Sequence, residues 1–184
     1  MRPFFKAAAP AIALALLLAG CSGGGEDARD GSDAQGGQGA SPGQPSTEDV
    51  IAEGTFPYRE HEGEAAFEIH ALTVRGELMQ LDYTITPGTP ESDAESDPEI
   101  WTLFGVSLTE PHIDLVDMEN LRRYTVVEDE NGDLLQPHPT TVLAYDEPNS
   151  FTAFFAAPRD GADTFDVYLY GMQPIMDVPV EEER

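Results

Sequence analysis

Hydrophobic and polar positions fall into three regimes along the chain. Residues 7–18 form an apolar run, residues 22–57 hold few large apolar side chains, and from about residue 65 to residue 180 apolar and polar positions alternate. A period of two marks strands that bury one face. Phe67, Ile69 and Ala71 keep one phase, then Leu72 and Val74 take the other, which predicts a β-bulge or a strand buried on both faces. Leu81, Tyr83 and Ile85 alternate up to Pro87-Gly88, which ends that strand. Residues 101–108 read as a third strand weakened by Gly105, and residues 124–129 as a fourth. Asn131-Gly132 then predicts a hairpin turn, because both residues tolerate positive φ, and Leu134-Leu135 begins the return strand. Residues 140–145, 150–156 and 164–170, rich in Val, Thr, Phe and Tyr, complete the set.

About seven to eight short strands near ten residues apart predict an all-β fold, a single antiparallel β-sandwich over residues 58–184. Residues 88–98 are acidic and poor in large apolar side chains, hence an exposed loop, and residues 111–122 are expected to hold a short helical turn. Trp101, Phe104, Phe151, Phe154 and Phe155 are what a core of this size needs. A ligand groove lined by the same rings is the alternative.

The first two regimes are not part of that domain. Residues 1–20 pair two cations, Arg2 and Lys6, with the apolar run and a small-residue end, Ala19-Gly20, as an export signal does. At about 1.5 Å per residue the run reaches about 18 Å, short of a hydrocarbon core of about 30 Å. Leu18-Ala19-Gly20-Cys21 resembles the bacterial lipobox. That resemblance implies a diacylglycerol on the thiol, cleavage just before Cys21, and a lipid-anchored chain on the extracytoplasmic face of the cell membrane. Ser22 follows in place of the aspartate that would imply inner-membrane retention. Cys21 is the single cysteine, so neither a disulfide framework nor a catalytic thiol exists elsewhere. Residues 21–57, acidic and rich in Gly and Ser, are expected to form a disordered tether with its ends roughly 30–36 Å apart.

Charge narrows the partners. Removal of the leader leaves seven arginines against 35 acids, a net charge of about −28. Repulsion of that size works against DNA, RNA and anionic lipid surfaces, so no nucleic-acid partner is expected. The membrane is met through the lipid alone, and the expected partner is an envelope protein or wall component.

Several phrases of the domain resemble an actinobacterial group of secreted and lipoprotein domains with an immunoglobulin-like sandwich. They are Leu81-Asp82-Tyr83-Thr84-Ile85-Thr86, Leu121-Arg122-Arg123-Tyr124-Thr125-Val126, Phe154-Phe155-Ala156-Ala157-Pro158, and the run from Gly171 through Asp177-Val178-Pro179-Val180. The resemblance spans roughly residues 65–180 and implies a fold, with no activity attached to any residue.

Catalytic patterns are sparse. His61-Glu62 is followed by Ala65 where a zinc-protease helix needs histidine, and His70 is expected on a partly exposed strand face. The remaining histidines are His112 and His138. Asp129-Glu130-Asn131-Gly132-Asp133 has oxygen ligands at alternate positions, but Leu134 and Thr140 stand where a calcium loop needs glycine and glutamate. Arg122-Arg123 is expected to pair with acids such as Asp117 or Glu119, or to present a carboxylate-binding spot. No catalytic residue, metal ligand or cofactor is assigned. The sequence therefore predicts a non-enzymatic binding or structural lipoprotein of the envelope. A small-molecule or divalent-cation binder is the alternative, with an envelope-polymer hydrolase behind it.

Overall fold

Two antiparallel sheets packed through one apolar core make up a computed structural model that describes residues 49–59, 61–90 and 96–182. The leader, Cys21 and most of the predicted tether lie outside these residues. The expected all-β sandwich is found, with nine strands among the described residues.

The first sheet is ordered β1 (Ala52–Pro57), β2 (Glu64–Arg75), β3 (Leu78–Pro87) and β6 (Asn149–Ala156). Gly76, at φ +63°, makes the tight turn that sets Arg75 opposite Leu78. In β2 the pairing with β3 slips at His70, so that Ile69 faces Tyr83 and Ala71 faces Asp82. This is the predicted bulge. One extra residue reverses the phase, which lets Phe67 and Ile69 before it and Leu72 after it all reach the core.

The second sheet is ordered β5 (Arg122–Thr125), β4 (Ile113–Asp117), β7 (Thr164–Leu169) and β8 (Ile175–Pro179). Ile113 and Leu115 from β4, Phe165, Val167 and Leu169 from β7, and Val178 from β8 meet Phe67, Leu81, Tyr83, Ile85 and Phe155 of the first sheet. Each buried side chain of this size contributes about 1.5–3 kcal/mol through loss of contact with water. A two-residue strand, β9 (Glu181–Glu182), leaves the second sheet and pairs in parallel with Thr73 and Val74 of β2, beyond the reach of β1.

Four expectations are corrected. Residues 52–57 belong to the sheet and not to the tether: β1 pairs with β2 from Ala52 opposite Ile69 to Pro57 opposite Glu64. Its inward positions are Ala52, Gly54 and Phe56, too little apolar bulk to stand out from a linker. Residues 101–108 are not a strand. Ile100, Leu103 and Phe104 are buried at helical spacing in α1 (Ile100–Phe104), and Gly105 at φ +61° closes it with its N–H on the Trp101 carbonyl. The segment 111–122 carries β4 instead of a helical turn. Residues 140–145 form no strand and keep one bridge, Val142 to Glu99. The turn at Asn131-Gly132 is present and wider than two residues. The Asp129 carboxylate closes it by accepting the N–H groups of Asn131 and Asp133, and Glu128 bridges to Leu134.

Candidate functional site

Antiparallel pairing of β4 with β7 sets Ile113 against Leu169, so the entry to β4 and the exit from β7 lie side by side. There the Tyr170 N–H donates to the His112 carbonyl over 2.8 Å. The chain after α1 runs across the same end of the sandwich, and Arg59, just past β1, joins it. Arg59, Ser107, Glu110, His112, Asp114 and Tyr170 line a cleft of about 220 Å³. Glu110 is shared with a neighbouring groove of about 550 Å³, whose walls include Leu108, Glu128, Gln136 and His138.

The cleft is built on a stack of rings. Tyr170 lies nearly parallel to Phe104 at 5.2 Å and to His112 at 6.3 Å. To hold that place Tyr170 adopts φ +52°, which costs a bulky residue about 1–2 kcal/mol. Complete burial and a 2.7 Å bond between its hydroxyl and that of Tyr83 fix it there. Burial raises both phenols well above their usual pKa.

Arg59 is exposed and lies along one side of the cleft. Its Nη2 donates to the Gly171 carbonyl at 3.1 Å. A Cβ added at Gly171 would stand 2.8 Å from that nitrogen, and one at Gly105 would stand 3.2 Å from the Arg59 Cδ. The two glycines make the slot in which the side chain lies.

His112 is 8% exposed, and its backbone N–H donates to Gln136 Oε1. Burial lowers its pKa below the ordinary histidine value; Glu110 opposes that shift and His138 adds to it. The ring is thus neutral at neutral pH. Its Nε2 is buried without a hydrogen-bond partner among the described residues. Two positions along the same strand face, Asp114 accepts from Arg123 Nη2 at 2.6 Å through Oδ2, while Oδ1 is buried and unpartnered. A lone polar atom shut away from water costs about 1–3 kcal/mol.

No family model, curated protein or solved structure matches the chain. The site therefore stands on its own geometry.

Among the described residues no cluster of His, Cys, Asp and Glu is placed to hold a metal ion, and no helix is long and apolar enough to cross a membrane. His61 is exposed. His70, expected on a partly exposed face, is instead buried at the bulge, between the Asp49 carbonyl and Thr84 Oγ1. His138 is exposed and bonded to Thr140. Trp101, expected in the core, is 41% exposed and donates its indole N–H to Glu99, whereas Phe104 and Phe155 are buried. Arg122 and Arg123 form their close ion pairs with Asp160 and Asp114, while the Arg122 charge also helps hold the Asp117 pKa down. Arg59, Asp114 and Tyr170 were not singled out in the sequence. A strand reading of residues 112–115 would have put His112 and Asp114 on one face; a helical turn separates them.

Proposed function

We propose that the protein is an envelope lipoprotein, anchored through Cys21 on the extracytoplasmic face of the membrane, whose immunoglobulin-like sandwich is a non-enzymatic binding module. The observation that carries this reading is the cleft at the sandwich end. Loops from both sheets build it, a ring stack stiffens it, and charged side chains of both signs, Arg59, Glu110 and Asp114, line it. In this reading the tether spans the gap to the membrane and the loop end faces an envelope protein or wall component.

Two measurements test it together. Intact-mass analysis of the native protein is expected to show a chain beginning at Cys21 with acyl mass added, and Cys21→Ala is expected to move it out of the membrane fraction. Capture from envelope extracts is expected to return a partner that substitutions at the cleft abolish. An unmodified N-terminus elsewhere, or capture indifferent to the cleft, overturns the proposal.

A further inference from the structure

We infer that the hollow where β5 and β6 part takes an extended acidic peptide, added as a strand to the open edge of β5 and held by Arg122, Arg123 and Arg159. The site meets the cleft only through the Arg123–Asp114 pair, and either reading can fail without the other. β5 is the outer strand of its sheet, with β4 on one side only. Val126 bridges to Phe155, and from there the chain follows β6, with the Val127 N–H on the Phe154 carbonyl. On the other side of that bridge the two edges diverge. Arg122, Arg123, Tyr124, Ala156, Ala157 and Arg159 line the hollow of about 450 Å³ between them. Among the described residues β4 is the one strand paired with Arg122–Thr125, which leaves about 13 Å of open edge at about 3.3 Å per residue. An extended peptide can join such an edge through main-chain hydrogen bonds.

Charge names the occupant. Three of the seven arginines after Cys21 meet here, on a chain with 35 acids. All three are exposed and open to a ligand. Arg122 and Arg123 pair with Asp160 and Asp114, and Arg159 has no ion pair among the described residues. Each guanidinium carries five N–H donors, more than one carboxylate uses, so the paired arginines still have donors to offer. Neighbouring positions of a strand face opposite ways, so Arg122 and Arg123 flank an added strand on its two faces. Tyr124, edge-on to Phe165 at 5.6 Å, gives the hollow an apolar floor with Ala156 and Ala157. Edge strands commonly carry cations that keep other chains away. Here the same cations would oppose β5 of a second copy, so they disfavour self-pairing and admit a strand of opposite sign. A small free anion would leave the backbone edge unused. The net negative charge of the chain slows an acidic peptide's approach, but it is screened beyond about 8 Å at physiological ionic strength, whereas the arginines act at contact.

Fluorescence anisotropy on the full chain in detergent decides it. The probe is a labelled eight-residue peptide alternating threonine and glutamate. Beside it stand a version with glutamine for glutamate, a version N-methylated at every residue, which cannot form a ladder, and a labelled polyphosphate. Saturable binding of the acidic peptide is expected, at least about tenfold weaker for the glutamine and N-methylated versions. The double variant Arg122→Gln, Arg159→Gln is expected to weaken it by a similar factor, while Arg59→Gln, at the cleft, stays within about twofold. Amide exchange at residues 122–125 should slow when the peptide is bound. If the double variant unfolds, the two altered peptides still decide. No saturable binding of the acidic peptide overturns the inference, as does binding that ignores the double variant. An N-methylated peptide or a polyphosphate held as tightly overturns strand addition and leaves a site for any polyanion. Loss of the cleft's partner in Arg59→Gln with peptide binding intact would confirm that the two sites are separate.

Discussion

Among the described residues, Leu121, Asp146, Tyr170 and Asp177 hold a positive φ without being glycine. The aspartates are short polar residues that visit this region readily, and Asp146 uses its carboxylate to hold Thr89. Tyr170 is fixed by burial and by its bonds to Tyr83 and His112. Leu121 has no such compensation. It is 83% exposed at the tip of the β4–β5 turn, where Asp117 accepts from the backbone and side chain of Asn120. Burial alone would raise the Asp117 pKa; the hydrogen bonds from Asn120 outweigh it and hold the carboxyl low. Leu121→Gly relieves a strained backbone and gives back part of the gain as unfolded-chain entropy. It is expected to stabilise the domain by about 0.5–1 kcal/mol, raising the thermal midpoint by a few degrees. A lower midpoint in differential scanning calorimetry would show that the turn needs the leucine.

At the scale of elements, strands with bulky inward residues were legible and those with thin inward faces were not. β2, β3, β6 and β7 announce themselves because Phe, Ile, Leu and Tyr recur on one side. β1 offers one phenylalanine, and β4 is five residues long, so its Ile113-Leu115 alternation is shorter than a helical turn is easily told from. α1 was hidden because Trp101, Leu103 and Gly105 mimic a period of two, while the burial follows Ile100, Leu103 and Phe104. The cleft was mostly illegible for a related reason: it joins residues from the ends of β1, α1 and β7 and the start of β4, distant in sequence. The bulge at His70 was legible, and its role can be tested by removing it. Deleting His70 makes Ile69–Tyr83, Ala71–Asp82 and Leu72–Leu81 consecutive pairs of a regular ladder with Leu72 and Val74 still inward, so the core is kept and the ring's bonds to the Asp49 carbonyl and Thr84 are lost. A loss of about 1–3 kcal/mol is expected from urea denaturation. Amide exchange should quicken around residues 49 and 84. A deletion that fails to fold would mean that the local bend of the bulge is itself needed.

For the whole molecule, the hydroxyl pair Tyr83–Tyr170 joins the two sheets through the middle of the core, one ring on β3 and the other just past β7. Burial raises both phenols above the value of 10.0 they have in an open chain. Below pH 10 both states keep these protons and the pair adds no slope. Above it the unfolded chain releases protons that the folded chain retains, so stability falls as pH rises. The urea midpoint is therefore expected to decline above pH 10, and the double variant Tyr83→Phe, Tyr170→Phe should lose most of that slope. An equal decline in the double variant would assign the effect to the general negative charge of the chain.

The short first strand has a mechanical meaning. A pull on the residues before Ala52 runs along β1, and two residues past Pro57 it reaches Arg59 at the cleft. Such a pull loads one edge of the domain first, along a strand held lengthwise against β2. The fold can stay relaxed while its edge is under tension.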